Sequence, residues 1–308
     1  MSEGGARYGA SDGGRPADGD EATRARQALV GSRFADLRWV AETGSTNADA
    51  LGLARDGAAE GIVVVADHQT AGRGRRDRRW VAPPGGSLLV SVLLRPPSAV
   101  ARAVSMAAAV AMAEAVDAVT GGAVRPGLKW PNDLVVDTPE GDRKLAGLLA
   151  EADWPAGSAM SAGYRAPATH DRAVVVVGIG VNVAWPVMAS GPGEGDAAID
   201  PALAEVADLA TALNWLGAEV DRVDLLVAYL RGLDERYEAL VLGGPADLVA
   251  AWRARSATLG RRVRVDLGTD DVDGTAVDVT PEGHLVVETL EGDRRILAVG
   301  DVVHLRPA

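Results

Sequence analysis

The pattern of apolar residues changes once along this chain, near Gly260, and this change constrains the fold more than any other feature. Before residue 254, apolar runs typical of buried strands alternate with longer runs at helical spacing. After Gly260, short apolar runs are separated by turns rich in Gly and Asp. We therefore predict an α/β (α+β) domain over residues 25–254, with helices packed on a mixed sheet, and a small β-barrel domain over 256–308.

Most elements of the larger domain can be placed from periodicity. Strands are predicted at 37–41, 61–67, 87–94, 133–137, 145–152 and 174–183. Helices are predicted at 48–55, 99–119, 202–216, 221–242 and 246–254. The stretch 99–119 is the most hydrophobic long segment, but Arg102, Glu114 and Asp117 interrupt it, which indicates a core helix and not a membrane span.

Composition limits the possible functions and the compartment. Residues 1–24 have almost no large apolar side chain and are predicted to be a disordered tail, too short and too polar for a helix-turn-helix domain. A net charge of −12 argues against binding to nucleic acid or to an anionic membrane. The absence of cysteine excludes disulfides and thiol chemistry, and no apolar signal segment is visible, so we expect a cytoplasmic protein.

Lysine is rare in this chain, and its two positions stand out. Of the 31 basic residues only Lys129 and Lys144 are lysines, and each lies within a dense polar motif. Arginine is a planar fork with a permanent charge, whereas lysine is a compact point charge on a flexible stem. A lysine that persists against this bias indicates a site that needs a point charge.

The segment 68–80 is the sharpest local signal. Five of its arginines stand within residues 73–79, together with Gly74 and Asp77. Such a cluster repels itself unless an anion is near, and exposed amides with guanidinium groups suit a polyphosphate. We predict a phosphate-binding loop, followed by Trp80 as a side chain that can stack on a base, although a charge run can also be a solvated loop.

Together these motifs resemble the biotin–protein ligase family, also called biotin–[acetyl-CoA-carboxylase] ligase. The matching segments, in the order and spacing of the family, are 42–47, 69–80, 129–133, 143–147 and, more loosely, 177–183. The resemblance implies a class II synthetase-like biotin/lipoate ligase catalytic domain followed by an SH3-like β-barrel. It further implies the form without an N-terminal DNA-binding domain.

The resemblance also implies a reaction in two steps. The carboxylate of biotin attacks the α-phosphate of ATP, which gives biotinyl-5′-adenylate and pyrophosphate. A lysine of a biotin carrier domain, part of a biotin-dependent carboxylase, then attacks this mixed anhydride and releases AMP. Mg²⁺ is expected to arrive with ATP, and no protein ligand for a metal is assigned.

Site residues follow from the same resemblance. Those implied to hold biotin or to close over it are Ser45, Thr46, Asn47, Gln69, Arg73, Gly74, Arg75 and Lys144. Those implied to flank the nucleotide are Arg78, Trp80, Lys129, Asn132 and Asn182. The groups expected to act on the developing charge are Lys144, Arg73, Arg75, Lys129 and Asp133.

Several of these residues also have a plain structural interpretation. Ser45 and Thr46 could cap the following helix, Asp133 could cap the start of a strand, and Asn182 could be a turn residue. Asp77 departs from the family, whose loop usually carries glycine there, so the loop either pairs Asp77 with an arginine or closes differently. We also expect the loop to be disordered until biotin and ATP bind.

Three other functions remain open at this point. A lipoate–protein ligase has a similar catalytic fold, but the polar residues 45–47 and Gln69 suit a ureido ring better than an apolar chain. A biotin-responsive DNA-binding regulator is disfavoured by the acidic balance and the short N-terminal segment. A non-catalytic biotin-binding module is disfavoured by Lys144 and the arginine loop.

Overall fold

A computed structural model of the chain describes residues 19–153, 171–186, 203, 205–206, 208–268 and 270–305. The helices of the larger domain are α1 (Asp20–Ala28), α2 (Thr46–Arg55), α3 (Val104–Val119), α4 (Arg222–Gly243) and α5 (Ala246–Ala254). Its strands are β1 (Leu37–Thr43), β2 (Val63–Gln69), β3 (Ser87–Leu94), β4 (Gly127–Lys129), β5 (Asp133–Thr138), β6 (Gly141–Asp153) and β7 (Val174–Asn182). These strands and helices confirm the mixed α/β class expected from the sequence.

The seven strands form one mixed sheet in the order β1-β2-β3-β7-β6-β5-β4. β1 and β2 are parallel, and every other neighbouring pair is antiparallel. β3 and β7 lie at the centre, where all eight residues of β3 are buried. A strand that is covered on both faces needs apolar side chains throughout, which is why β3 and β7 lack the alternation of a surface strand.

Helices cover both faces of the sheet because successive side chains of a strand point to opposite sides. Val63, Val65 and Leu94 belong to the main core, which also contains α3. Val64, Leu93 and Val176 point to the other face and pack with Ala50 of α2. Each fully buried Val or Leu of this kind contributes about 1.5–3 kcal/mol. Helix α2 is thereby held against the face of the sheet that carries Val64, Leu93 and Val176.

The C-terminal region forms a separate five-stranded antiparallel sheet. Its strands are β8 (Arg262–Asp266), β9 (Asp271–Val279), β10 (Leu285–Thr289), β11 (Arg294–Leu297) and β12 (Asp301–His304), in the order β11-β10-β9-β8-β12. This small all-β unit contacts the larger domain around Trp130, whose Nε1 donates to the carbonyl of Gly283 at 2.9 Å and whose backbone N donates to Thr258 Oγ1 at 3.0 Å. Trp130 is buried and packs at this contact.

The helix predicted over 202–216 is confirmed only at its start, where residues 203, 205 and 206 are helical, and it is wrong from residue 208 onwards. Residues 208–213 run as turns and a short bridge, in which Lys144 N donates to Leu209 O and Thr211 N donates to Lys144 O, both at 2.9 Å. A short 3₁₀ helix follows at Asn214–Leu216. Ala210, Ala212 and Leu213 are buried although Leu209 is exposed, so the apolar spacing reflects contacts of an irregular segment and not a helix.

The predicted disordered tail, 1–24, ends too late in the sequence. Helix α1 begins at Asp20, and its side chains Ala22 and Ala25 are buried. Arg24 and Asp221 form an ion pair at 2.9 Å. Tertiary packing and this ion pair order a stretch whose composition alone is too polar to form a core. Residues 1–18 lie outside the described part of the chain.

No helix among the described residues is long and apolar enough to cross a membrane. α3, which the sequence singled out as the most hydrophobic segment, is instead a core helix with most of its residues buried. Ala107, Ala108 and Ala111 are among them, and their small side chains let α3 pack closely on the sheet and on α4.

Candidate active site

One cavity of about 410 Å³ lies on the α2 face of the sheet, between β6, β7 and the segment that follows β2. Every site residue predicted from the sequence lines it: Ser45, Thr46, Asn47, Gln69, Arg73, Gly74, Arg75, Arg78, Trp80, Lys129, Asn132, Asp133, Lys144 and Asn182. These residues come from segments that are far apart in the sequence. The fold therefore assembles the separate motifs into one site.

The start of α2 forms a polar, buried end of the cavity. Gln69 Oε1 accepts hydrogen bonds from the backbone N of Thr46 at 2.8 Å and from Thr46 Oγ1 at 3.0 Å. Ser45 occupies the N-cap position of α2, but its side chain makes no capping hydrogen bond. The helix-capping role considered for the Ser45 and Thr46 side chains is therefore wrong, because the Thr46 hydroxyl is used to orient the amide of Gln69.

Asn47 is held by hydrogen bonds from several elements. Its Nδ2 donates to Leu149 O at 3.1 Å and to Glu151 Oε2 at 2.8 Å, and its Oδ1 lies 2.6 Å from Ser91 Oγ. The amide lies directly on the backbone of Gly178, where an added Cβ would be 2.1 Å from Asn47 Oδ1. Only glycine at this position of β7 leaves room for the amide.

Lys144 lies in the middle of the cavity wall. Its Nζ is 2.6 Å from Asp133 Oδ1 and 5.5 Å from the centre of the Trp80 ring. Asp133 starts β5 and forms an ion pair from there, so its role is more than that of a strand cap. The ammonium group has a carboxylate on one side and an aromatic face on the other, and both hold a cation in place.

Trp80 lies flat against two glycines of the central strands. A Cβ on Gly180 would be 2.4 Å from Trp80 Cε2, and one on Gly147 would be 2.8 Å from Trp80 Cζ3. The indole Nε1 is buried and has no hydrogen-bond partner in the described structure. Burial without a partner costs free energy, so this N–H is a donor available to a ligand in the cavity.

The arginine-rich segment forms a short hairpin. Gly74 N donates to Arg78 O at 2.6 Å, and Arg78 N donates to Arg75 O at 3.2 Å. The two residues at the tip, Arg76 and Asp77, both have positive φ, 52° and 57°. Two consecutive positive φ values are the mark of the turns that close tight hairpins.

The arginines of this hairpin contact carboxylates of other elements. Arg73 Nη2 lies 3.1 Å from both oxygens of Glu151, which also holds Asn47. Arg78 pairs with Asp301 of β12. Burial lowers the pKa of Arg75, and the charges of Asp301 partly oppose this effect. Asp77 has no ion pair or hydrogen bond within the described residues, so pairing with a neighbouring arginine, one of the two possibilities left open, is not seen.

Two asparagines form the far wall of the cavity. Asn132 Nδ2 donates to Leu148 O at 2.6 Å, and Asn182 Nδ2 donates to Thr211 O at 2.9 Å. Asn182 is 1% exposed, and its Oδ1 has no partner in the described structure. As the last residue of β7 it is not in a turn, and its free oxygen is an acceptor for a ligand.

Two family models match the chain. The model of the biotin/lipoate A/B protein ligase family matches residues 42–154, and that of the biotin protein ligase C-terminal domain matches residues 258–305. A biotin–[acetyl-CoA-carboxylase] ligase of Mycobacterium tuberculosis is 36% identical over 300 residues, which cover 95% of this chain and 97% of that protein. The chain belongs to the biotin protein ligase family.

Other members of the biotin protein ligase family agree in sequence and in structure. A biotin–[acetyl-CoA-carboxylase] ligase of Paracoccus denitrificans is 32% identical over 265 residues, with 85% of this chain and 98% of that protein covered. A solved structure of biotin protein ligase from Aquifex aeolicus in complex with biotin and ATP superposes with a TM-score of 0.67 at 25% identity. That superposition covers 89% of this chain and all of that one.

Within this biotin protein ligase fold, the cavity also contains residues that the sequence did not reveal. Asp142 at the start of β6, Asp301 and Val302 of β12, and Leu209 with Ala210 all line it. Asp301 and Val302 come from the C-terminal sheet, which therefore forms part of the cavity wall. No motif marks these positions, because an aspartate at a strand end is common and their role depends on how the two sheets meet.

A charged cluster joins the two sheets beside the cavity. His304 Nδ1 lies 2.9 Å from Asp142 Oδ2, and Arg261 Nη1 lies 2.7 Å from the same oxygen. Burial lowers the pKa of His304, and the positive charges of Lys129 and Arg261 add to this effect. Burial opposes ionisation of Asp142, but hydrogen bonds from His304 and Arg261 outweigh it and lower the pKa of that carboxyl.

Proposed function

We propose that this chain is an ATP-dependent ligase that activates biotin as biotinyl-5′-AMP and transfers the biotinyl group to a lysine of a biotin carrier protein. The observation that carries the proposal is that the polar start of α2, Lys144 and the arginine hairpin line the same cavity. The carrier is the biotin carrier domain of a biotin-dependent carboxylase, in keeping with the names of the relatives. We propose the cytoplasm as the site of the reaction, in line with the expectation from the sequence.

In the first step, a carboxylate oxygen of biotin forms a bond to the α-phosphorus of ATP. The bond from this phosphorus to the bridging oxygen of the β-phosphate breaks, and pyrophosphate leaves. The step brings two anions together and increases the negative charge around phosphorus, so that cations fixed in advance lower the barrier most. Arg73, Arg75 and Lys129 line the cavity and supply such charge.

Lys144 is the group best placed to act on the reacting atoms. Its ammonium lies between Asp133 and the Trp80 ring, which keep it over the cavity while its flexible stem leaves it able to follow the charge. We assign it to the biotin carboxylate and the α-phosphate. The ion pair with Asp133 orients the Lys144 ammonium group for this role.

The two ends of the cavity suit the two substrates. Asn47, Gln69, Ser45 and Thr46 line one end, where the hydrogen bonds of Gln69 Oε1 to Thr46 orient the amide and leave its Nε2 group as a donor for a ureido ring. Gly74 and Arg75 cover this region from the hairpin. At the other end, Asn132, Arg78 and Trp80 flank the nucleotide, and Asn182 Oδ1 is a buried acceptor for an amino group of the base.

In the second step, the lysine amine of the carrier attacks the carbonyl carbon of the anhydride. The carbon–oxygen bond to the phosphate breaks, AMP leaves, and the amine loses a proton as the amide forms. The closed hairpin limits attack by water on the anhydride until the carrier arrives. No covalent intermediate with the enzyme is required.

The cavity does not contain a ready-made metal site. Among the described residues, His, Asp and Glu do not gather into a group of three that could hold a metal ion. The lining carboxylates face cations instead, as Asp133 does with Lys144 and Asp142 does with Arg261. Mg²⁺ therefore enters the proposal as an ion carried by the phosphates of ATP, and no step is assigned to a protein-bound metal.

ATP–pyrophosphate exchange tests the first step directly. Purified protein with Mg²⁺ is assayed with biotin, with lipoate and without any acid, and we expect exchange only with biotin. Lys144→Ala should lower the exchange rate by about 100-fold or more, since it removes a charge that acts on the reacting atoms. Arg143→Ala is the matched control, because Arg143 also carries a positive charge on β6 but does not line the cavity.

The outcomes separate the possible functions. Exchange with lipoate alone would assign the chain to lipoate ligation within the same chemistry. No exchange with either acid would contradict the proposed ligase, and full activity of Lys144→Ala would contradict the role assigned to Lys144. Transfer is then checked by AMP release and by the mass increase of an apo-carrier domain whose acceptor lysine is intact, against a carrier in which that lysine is replaced by arginine.

A further inference from the structure

The carboxylate of Asp301 is the point at which three arginines of the hairpin converge. Asp301 pairs with Arg78, and its Oδ2 lies 3.4 Å from Arg76 Nη1. Its Oδ1 lies 3.8 Å from Arg75 Nη1, which also donates to the carbonyl of Gly300 at 3.2 Å. The side chain of Asp301 is only 22% exposed, whereas those of Arg76 and Arg78 are 34% and 71% exposed, so these ion pairs remain open to screening by salt.

A second carboxylate of the C-terminal sheet supports the same hairpin. Arg76 Nη1 lies 3.2 Å from Asp266 Oδ2, and Arg76 Nη2 donates to Asp266 O at 2.9 Å. Asp266 and Asp301 face each other in the ladder between β8 and β12. The hairpin is thus attached to one strand pair of the other sheet and not merely placed near it.

This arrangement supplies the anion that a cluster of arginines requires. Without a nearby negative charge, the guanidinium groups of residues 73–79 would repel one another and the hairpin would open. The C-terminal sheet neutralises part of that charge before any ligand arrives. Each guanidinium has five N–H donors, so a contact with Asp301 orients it and leaves other donors for phosphate.

We propose that Asp301 is a positioning residue for the adenylation reaction, which holds Arg75 and Arg78 against the cavity before ATP binds. Asp301 and Val302 line the cavity beside these arginines, so the C-terminal sheet forms part of the active site. Preorganised charges bind an anion with a smaller entropic cost than charges on a mobile loop. The role in adenylation rests on the function proposed above, whereas the ordering of the hairpin does not.

Asp301→Asn tests the proposal in the full-length protein. The amide is nearly the same size but carries no charge, so we expect the KM for ATP to rise about tenfold, with kcat changed much less. Hydrogen–deuterium exchange of peptides covering residues 69–81 should become faster in the ligand-free protein. Asp301→Glu, which restores the charge, should recover much of the protection and of the KM.

Asp273→Asn is the matched control. Asp273 is also a carboxylate of the C-terminal sheet, and it holds Arg264 through two contacts of 2.8 Å, but it does not line the cavity. We expect this variant to keep both the KM for ATP and the slow exchange of the hairpin. A drop in KM in Asp301→Asn would mean that the carboxylate competes with ATP, and unchanged hairpin exchange would mean that it orders nothing. Either result overturns the proposal.

A measurement on the unmodified protein covers the case in which Asp301→Asn does not fold. Raising the salt concentration to about 1 M shortens the screening length to about 3 Å, which weakens these ion pairs. Hydrogen–deuterium exchange of the hairpin amides should then become faster, while that of the β3 amides stays slow. Equal exchange at both salt concentrations overturns the proposal. The hydrogen–deuterium exchange measurements need no substrate. If the protein showed no biotin-dependent ATP–pyrophosphate exchange, the ligase function would be refuted, and the ordering of the hairpin could still be tested.

Discussion

Single glycines determine the shape of the cavity at the residue scale. The Asn47 amide, which we assign to biotin, lies where Gly178 has no side chain, and Trp80 lies where Gly147 and Gly180 have none. Apart from Gly178, Gly180 and its last residue Asn182, β7 is a run of β-branched residues, so its two glycines weaken the strand and are explained by the side chains that lie on them. Signals of this kind are visible in a sequence only when the partner of the glycine is known.

Gly178→Ala should therefore weaken biotin binding more than it affects the nucleotide. The new methyl group would stand 2.1 Å from Asn47 Oδ1, so the amide must move away from Leu149 and Glu151. We expect the KM for biotin to rise about tenfold or more, with the KM for ATP nearly unchanged, and a loss of stability of about 1–3 kcal/mol from overpacking. The kinetics of ATP–pyrophosphate exchange measure the KM values, and urea unfolding measures the loss of stability.

Gly232→Ala is the control for a general effect of replacing glycine. Gly232 lies in α4, where an added Cβ meets its nearest neighbour, Ala111 Cβ, at 3.7 Å, an ordinary contact. This variant should keep both KM values and should be stabilised by about 0.5–1 kcal/mol, as expected for alanine in a helix. Equal KM values for biotin in Gly178→Ala and the unmodified protein would show that Asn47 does not hold biotin.

At the scale of elements, the arginine hairpin differs from what the sequence predicted. We expected a loop that stays disordered until the substrates bind, whereas the structure shows a hairpin closed by backbone hydrogen bonds and held by Glu151 and Asp301. The arginine cluster correctly indicated a need for negative charge. It could not show that part of that charge comes from β12, more than 200 positions further along the chain.

Asp77 occupies the tip of this hairpin with φ of 57°, a conformation that favours glycine. We expect Asp77→Gly to be more stable than Asp77→Ala by about 1 kcal/mol, because glycine adopts positive φ freely and alanine does not. Both variants remove the same charge, so their difference reports the backbone alone. The two variants are compared by thermal unfolding and by hydrogen–deuterium exchange of peptides that cover residues 69–81. Equal stability of the two variants would show that the turn is not formed in solution.

The elements predicted from the sequence were reliable where burial imposes a period. β3 was predicted with its observed ends, and the core helix α3 and the helix α4 were placed to within a few residues. The helix predicted over 202–216 is not formed from residue 208 onwards, because the backbone there makes a bridge to Lys144 that only the tertiary structure creates. The residues of the local motifs line one cavity, and their roles stay predictions, whereas Asp142 and Asp301 enter the cavity only through the contact between the two sheets.

At the scale of the whole molecule, the two sheets are joined beside the cavity by a cluster that can titrate. His304 of β12 is hydrogen-bonded to Asp142 of β6, and Arg261 and Lys129 add positive charge around it. Burial, reinforced by these charges, lowers the pKa of His304 below its ordinary value of 6.5. The C-terminal sheet that contacts the arginine hairpin is therefore attached through a histidine whose protonation the fold disfavours.

The stability of the protein should fall as the pH decreases below about 6.5, because the unfolded chain then binds a proton that folded His304 resists. Asp142 does not produce this effect, since its pKa is lowered from 3.8 and its contribution is lost only at still lower pH. We expect the melting temperature measured from pH 8 to pH 5.5 to drop less in His304→Asn, whose amide can still donate to Asp142 but does not titrate. His68→Asn is the control. His68 lies outside this cluster, with its Nδ1 at 3.0 Å from Glu42 Oε2, and this variant should show the same fall in melting temperature as the unmodified protein. If His304→Asn and the unmodified protein lose stability in parallel over this range, the junction between the sheets does not depend on a neutral His304.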